Sequence, residues 1–217
     1  MTTVLILGLG EFGSNIAKRM SEFKCEVMAV DIKEERVDDI LPFVGSARIG
    51  DSTNEEFLRS LGVNSYDVCI VALGGLFQSS LETTNLLKEL GAPFVVSRAT
   101  NDVQMKFLKM SGADEVVYPE KQTAIRLATK YASESILDFI QLDNNYSIYE
   151  MKAPKEWFGK TLAQIDIRKK FKINMLTIKR GNDGNEVFIP AHDTVIQNDD
   201  VAFIIGEVQD IRKCFKV

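Results

Sequence analysis

The fold follows from the stretch VLILGLGEFG, residues 4–13 of a 217-residue chain. The apolar run from Val4 to Leu7 predicts a fully buried strand, and the glycines that follow stand in G-x-G-x-x-G spacing. Apolar residues then recur at helical intervals from Ile16 to Phe23. A strand, a glycine turn and a helix in this order predict the first unit of a dinucleotide-binding fold.

Each glycine of the turn has a predicted mechanical role. Gly8 permits a tight turn, Gly10 lets the backbone approach a phosphate, and Gly13 lets the helix lie close to the strand. The helix N-terminus adds free N–H groups and a partial positive charge, which favour a phosphate. A second predicted strand, residues 26–32, carries Asp31 at its end, where a carboxylate accepts hydrogen bonds from ribose hydroxyls. The alternative is a structural turn without a ligand.

Strands and helices alternate through the first part of the chain. The predicted strands are residues 4–7, 26–32, 47–51, 66–73, 94–97 and 115–118, and helices are predicted after the glycine turn and at 33–41, 55–61, 77–90 and 101–110. Asn54 is predicted to cap one helix, and Gly62 to end it. This alternation predicts a doubly wound Rossmann sheet with the strand order 3-2-1-4-5-6.

The pattern changes after Pro119. Residues 120–142 are predicted to be helical, with a break near Ser133 between two helices. Short strands are predicted beyond them, at 147–152, 174–179, 186–189 and 201–205, with helices at 161–171 and 208–215 and a hairpin turn at 181–184. The sequence therefore predicts two domains, 1–142 and 143–217, of which the second is a small α+β domain.

Composition limits the class of protein. The net charge is −5 and no basic stripe occurs, which disfavours nucleic acid as a partner. No apolar run approaches the roughly 20 residues of a membrane-spanning helix, and the N-terminus lacks a signal-peptide pattern. The three scattered cysteines fit a reducing compartment better than a disulfide framework. Composition therefore predicts a cytoplasmic protein that is able to dock on a membrane protein.

Six segments along the chain carry a resemblance to one known family: GLGEFG, AVDIKEERV, IGDSTNEEFLRSLGV, DVCIVALGG, KELGAPFVVSRATN and SGADEVVYPEK. They are similar to the RCK-type regulatory subunits of bacterial potassium-uptake systems of the Ktr and Trk class. The first domain resembles the nucleotide-binding RCK_N domain, and the rest resembles the smaller RCK_C domain. The resemblance implies homodimers assembled into an octameric ring, which binds a membrane potassium channel or translocator on the cytoplasmic face of the membrane.

The resemblance also implies a ligand and a set of residues that bind it. The expected ligand is an adenine nucleotide, namely NAD(H), ADP, AMP or ATP. The implied nucleotide site comprises Gly8, Gly10, Glu11, Phe12, Gly13, Asp31, Ile32, Lys33, Asp51, Ser52, Ala72, Leu73, Gly74 and Arg98. Glu120 matches an acidic residue that is associated with an interfacial divalent cation; alternatively, it is a plain carboxylate at a helix N-terminus. Arg168 and Pro190 lie where some members contact cyclic di-AMP, although a solvated helix residue is the commoner role for such an arginine.

One residue of the phosphate turn departs from the family. Ktr-type members often carry arginine at the position of Glu11. A carboxylate close to a polyphosphate is repulsive unless a cation bridges the two or the carboxylate points away. The departure disfavours recognition of an ATP γ-phosphate of the Ktr kind and leaves NAD(H), ADP and AMP open. Alternatively, a divalent ion shared by Glu11 and Glu120 compensates for the charge.

The sequence predicts a switch and not an enzyme. The rival class, an NAD(P)-dependent oxidoreductase, needs a proton donor or acceptor beside the hydride site. The single histidine, His192, lies in a predicted loop of the small domain, and the chain contains neither a Tyr-x-x-x-Lys nor a Walker A motif. We therefore expect ligand binding that shifts the population of two dimer arrangements, with the segment after Pro119 as hinge and dimer contact.

Overall fold

The computed structural model describes residues 1–143, 145–180 and 186–215. The chain divides into two compact units, Met1–Glu120 and Lys121–Val217. Residues 121–142, which the sequence places in the first domain, fall within the second unit, and their assignment to the nucleotide-binding domain stays a prediction. Within the described ranges, no helix is both long enough and apolar enough to cross a membrane.

The first unit is built on a parallel sheet. Its strands are β1 Thr3–Leu7, β2 Glu26–Asp31, β3 Ser46–Ile49, β4 Val68–Val71, β5 Val95–Arg98 and β6 Glu115–Val117. All neighbouring strands run parallel in the order β3-β2-β1-β4-β5-β6. This order confirms the predicted Rossmann topology.

Helices connect these strands and begin and end where the sequence predicts. They are α1 Glu11–Glu22, α2 Glu34–Ile40, α3 Glu55–Leu61, α4 Phe77–Glu89 and α5 Asp102–Met110. The side chain of Asn54 caps α3 by accepting a hydrogen bond of 2.9 Å from the N–H of Phe57. Gly62 ends the same helix in the left-handed conformation, with φ at 66°.

The core lies on both faces of the sheet, and β1 runs through its centre. Val4, Leu5, Ile6 and Leu7 are all fully buried. Alternate residues of β1 join two different apolar clusters, one with Leu58 of α3 and the other with Ala17 of α1. This two-sided burial explains why β1 is an unbroken apolar run without alternation. Each buried Leu or Ile side chain contributes about 1.5 to 3 kcal/mol, so β1 is firmly fixed below the glycine turn.

The second unit is a small α+β fold, as predicted. Over its described residues it forms an antiparallel sheet in the order β10-β9-β11-β8-β7. Its strands are β7 Ile136–Gln141, β8 Tyr146–Lys152, β9 Asn174–Arg180, β10 Glu186–Phe188 and β11 Val201–Glu207. The remaining helices are α6 Pro119–Tyr131, which begins in the first unit, and α7 Leu162–Ile165, α8 Ile167–Phe171 and α9 Val208–Phe215.

The structure corrects the prediction that residues 120–142 are helical throughout. The helix α6 ends at Tyr131, and the predicted second helix is instead the strand β7, antiparallel to β8. Phe139 of β7 stacks on Tyr149 of β8, with 5.4 Å between ring centroids. Pairing and stacking with a strand that comes later in the chain override the local helix preference of this segment.

The predicted helix at 161–171 is interrupted at Asp166, whose φ of 52° separates α7 from α8. A non-glycine residue in the left-handed region ends a helix, and nothing in the apolar spacing signals it. The predicted hairpin turn at 181–184 lies outside the described residues.

Candidate functional site

The glycine turn joins β1 to α1 with a very close approach of helix and strand. Gly8 has a φ of +97°, and its N–H donates to the carbonyl of Val30 at 2.8 Å. A Cβ on Gly13 would lie 1.9 Å from the carbonyl oxygen of Gly8, so only glycine fits there. A Cβ on Gly10, in contrast, would meet no atom within 4 Å. Gly10 therefore leaves open space at the helix N-terminus, where this fold receives a phosphate.

A cleft of about 500 Å³ opens beside the turn, at the carboxyl ends of the parallel strands. Doubly wound sheets bind their ligands outside the carboxyl ends of the strands, at the point where the strand order reverses. The predicted residues that line the cleft are Gly8, Gly10, Asp31, Ile32, Lys33, Asp51, Ser52, Ala72, Leu73, Gly74 and Arg98. The structure thus gathers most of the predicted set around one cavity, and their contacts with a ligand stay predictions.

Three predicted residues lie outside the wall of the cleft. Gly13 is buried under the turn. Phe12 contacts a cleft residue, because the guanidinium carbon of Arg98 lies 5.3 Å from the centre of its ring. Glu11 lines a second cavity, whose other lining residues come from α1, α2 and the segments before them. Lys18 of α1 is one of these residues. The Glu11 side chain is therefore not part of the cleft wall.

The cleft also contains residues that the sequence did not single out. They are Val30, Arg36, Gly50, Thr53, Gly75, Leu76 and Ser79. Arg36 matters most, because it adds a positive charge next to the predicted ribose acid. The only sequence feature that could have indicated Arg36 is its place as a basic residue in the first turn of the helix after β2. The glycine motif does not include this position.

Asp31 is held by the protein itself. It is only 5% exposed, and its Oδ2 accepts hydrogen bonds from the N–H of Leu9 at 2.7 Å and from Arg36 at 3.2 Å. Its Oδ1 accepts the N–H of Lys33 at 2.9 Å. Since a carboxylate offers about four acceptor positions, these three bonds leave one for a ribose hydroxyl. Asp31 therefore ties the glycine turn to the end of β2, in addition to its predicted role toward a ligand.

The rim of the cleft after β3 is also fixed by internal hydrogen bonds. Asp51 Oδ1 accepts the backbone N–H of Thr53 at 2.9 Å and its hydroxyl at 2.7 Å. The hydroxyl of Thr83, in α4, donates to the carbonyl of Ser52 at 3.1 Å. The resemblance implies that Asp51 and Ser52 lie beside the adenine, and these internal hydrogen bonds fix the position of both residues.

Arg98 forms the opposite wall of the cleft, at the end of β5. Its Nη2 donates to a carboxylate oxygen of Glu120, the second residue of α6. Gly74 makes room for it, since a Cβ there would lie 2.8 Å from Nη1. A hydrogen bond from its own backbone N–H, with a further contribution from Arg98, lowers the pKa of Glu120, which keeps this carboxylate ionised.

The other candidate reactive groups are not among the described residues that line the cleft. His192 lies in an exposed turn of the second unit. Burial raises the pKa of the Cys69 thiol to about 12, so this thiol stays protonated and unreactive. Among the described residues, no group of three or more His, Cys, Asp or Glu side chains could hold a metal ion.

Two family models match the chain, the TrkA-N domain over residues 4–119 and the TrkA-C domain over residues 147–217. The first of these alone spans more than half of the sequence. The chain belongs to the TrkA family of RCK-domain proteins. This TrkA-family chain is 40% identical over 208 residues to the Ktr system potassium uptake protein C of Bacillus subtilis (strain 168). The match covers 96% of this chain and 93% of the relative.

A more distant curated relative agrees with this membership, and two solved structures share the fold. The Ktr system potassium uptake protein A of Vibrio alginolyticus is 30% identical over 93% of the TrkA-family chain and 90% of its own length. The RCK domain of GsuK matches with a TM-score of 0.69 at 16% identity, over 99% of this chain and 47% of that one. A GsuK channel bound to NAD matches with a TM-score of 0.66 at 16% identity, over 98% of this chain and 38% of that one. At this identity the structural likeness shows the RCK fold alone.

Proposed function

We propose that this chain is a nucleotide-sensing regulatory subunit that controls potassium flux through a membrane partner. The role is supported by relatives that match over almost their whole length and are Ktr system potassium uptake proteins. The observation that carries the nucleotide part is the cleft, which brings the open turn at Gly10, the acid Asp31 and the cation Arg98 to one cavity. That combination suits the phosphate, the ribose and the charge of a nucleotide.

The proposed ligand is an adenine nucleotide: NAD(H), ADP, AMP or ATP. Three cations, Lys33, Arg36 and Arg98, line the cleft and complement the charge of phosphates. A solved RCK channel of the same fold is bound to NAD, which supports a dinucleotide as one candidate. Glu11 lines the second cavity, which shares Gly10, Lys33 and Arg36 with the cleft, so its negative charge remains an argument against ATP.

We infer binding without chemistry. An oxidoreductase would need a proton donor or acceptor beside the nicotinamide. The described wall of the cleft contains no His, Tyr or Cys, and we assign its one lysine, Lys33, to the phosphates. The relatives are named for potassium uptake and not for a reaction. A ligand then acts by its different affinity for two arrangements of the assembly.

The proposed assembly is a homodimer that builds an octameric ring on the cytoplasmic face of a potassium channel or translocator. Large apolar side chains are exposed on both units, which supports contacts between subunits. In the first unit they include Phe77, Val103, Phe107 and Met110, and in the second Ile125, Leu127 and Tyr131. Two finer predictions accompany this assembly: a divalent cation near Glu120, and cyclic di-AMP near Arg168 and Pro190.

Calorimetry and absorbance together test binding without turnover. We expect ADP, ATP or NAD to bind the purified chain with a stoichiometry of one per chain, and adenosine to bind more weakly because it lacks phosphates. We also expect NADH mixed with a panel of small carbonyl compounds to keep its absorbance. Steady NADH oxidation would favour the oxidoreductase alternative, and a chain that binds none of these nucleotides would contradict the proposal.

A further inference from the structure

Arg98 uses only one of the two N–H groups on one edge of its guanidinium. The Nε–H and one Nη2–H of an arginine lie on the same edge and together match the two oxygens of a carboxylate or phosphate. Arg126 uses this edge fully, donating from Nε to Oδ1 of Asp138 at 2.9 Å and from Nη2 to Oδ2. Arg98 gives Glu120 only Nη2, and its Nε is buried with no hydrogen-bond partner in the described part of the chain.

The Nε of Arg98 has no acceptor among the described residues of the protein. A buried donor without an acceptor loses its hydration and gains nothing in return. Rotation of the guanidinium is limited, because it lies over the ring of Phe12 and against Gly74. Arg98 is therefore ordered and desolvated, and its strongest edge is only partly used.

Glu120 holds Arg98 weakly. Its side chain is 54% exposed, whereas that of Arg98 is 21% exposed. An ion pair with one partner in water is screened and adds little to stability. A phosphate in the cleft, with several acceptor oxygens and more charge, offers Arg98 a stronger partner on the same edge.

We propose that Glu120 competes with the phosphate chain of the nucleotide for Arg98. The exchange of Arg98 between these two partners sets how strongly the cleft prefers phosphorylated ligands over adenosine. The inference rests on the proposed nucleotide-binding function and names the specificity-determining residues of that site. Arg98 lines the cleft, and its guanidinium lies over the ring of Phe12 in the glycine turn, which places it at the phosphate end. Glu120 does not line the cleft and acts through Arg98.

Titration calorimetry with ADP and with adenosine, both in EDTA to remove divalent cations, tests the exchange. Glu120→Gln keeps the size of the side chain and removes the competing charge, so ADP should bind about two- to fivefold more tightly, the range that an exposed ion pair allows. Adenosine should bind as it does to the unaltered chain. Arg98→Gln should weaken ADP binding, and adding Glu120→Gln to it should change nothing further.

Two variants serve as controls. Glu55→Gln breaks another exposed Arg–Glu pair of the same unit, with Arg59 on α3, and should leave ADP affinity unchanged. Arg98→Lys keeps the charge but lacks the fork, so it should weaken ADP binding even where the glutamine variant fails to fold.

The outcomes separate this inference from the function on which it rests. If Glu120→Gln tightens ADP binding equally with and without Arg98, the effect is one of general charge and the exchange is refuted. If Glu120→Gln leaves ADP affinity unchanged or lowers it, Glu120 is not a competitor, although nucleotide binding itself stands. If the unaltered chain binds neither ADP nor adenosine, the proposed function and this inference fail together.

Discussion

Gly13→Ala should destabilise the first unit severely, whereas Gly10→Ala should leave the chain folded and weaken its binding of a nucleotide. The new Cβ at residue 13 would lie 1.9 Å from the carbonyl oxygen of Gly8. That oxygen belongs to the backbone between β1 and α1, which has little freedom to move. Relief requires α1 to move off the sheet, which costs roughly 3 kcal/mol or more for an overpacked core position. Urea unfolding followed by circular dichroism measures this loss.

Gly10→Ala is the matched control for Gly13→Ala, since it adds the same methyl group to the same turn. Apart from its neighbours along the chain, no protein atom lies within 4 Å of that methyl position, so stability should fall by less than about 1 kcal/mol, the cost of a poorer helix N-cap. The methyl group would occupy the space predicted for a phosphate, and ADP affinity should fall at least tenfold by calorimetry. Unchanged ADP affinity in a folded Gly10→Ala chain would show that no phosphate binds at this turn.

Asp31→Ala should reduce both stability and nucleotide affinity. The carboxylate accepts bonds from the N–H groups of Leu9 and Lys33 and from Arg36, and its removal leaves the Leu9 N–H without an acceptor in a buried turn. We expect a loss of roughly 2 to 3 kcal/mol in the free energy of unfolding. Asp38→Ala, which removes an exposed carboxylate from α2, should change stability little and serves as the control. A fully stable Asp31→Ala chain would contradict the structural role.

Because Asp31 has a structural role, its substitution alone cannot identify the ribose contact. The ligand must be changed instead. If the remaining acceptor position of Asp31 binds a ribose hydroxyl, the unaltered chain should bind 2′,3′-dideoxy-ADP several-fold more weakly than ADP. Equal affinities would show that Asp31 supports the turn without touching the sugar.

Much of the fold was predictable because local signals and long-range packing agree in the first unit. The run at Val4–Leu7, the cap at Asn54 and the glycine at Gly62 each follow from short-range chemistry, and each occurs where the sequence predicts it. Parallel strands joined by helices allow few arrangements, so the strand order followed from the alternation alone.

The errors occurred where a distant contact decides the conformation. β7 has apolar residues at spacings that also suit a helix, and only its pairing with β8 makes it a strand. The break at Asp166 depends on a left-handed backbone conformation that apolar spacing does not encode.

The candidate site shows the same division between local and distant information. The glycine motif and the family resemblance together implied which strand ends would form the cleft, and the structure brings those residues together. It could not show that Arg36 reaches Asp31, or that Arg98 and Glu120, to which the resemblance assigned separate roles, form a pair. Such contacts depend on side-chain directions at the ends of elements that are far apart in sequence.

Potassium flux into vesicles that contain the partner translocator tests the central claim most directly. The chain should be added with ADP, ATP or NAD, or without a nucleotide, and compared with Gly10→Ala. We predict that flux changes several-fold between ligand states with the unaltered chain and stays constant with Gly10→Ala. Flux that is the same in every ligand state, with the unaltered chain bound to the translocator, would contradict a nucleotide-sensing regulator.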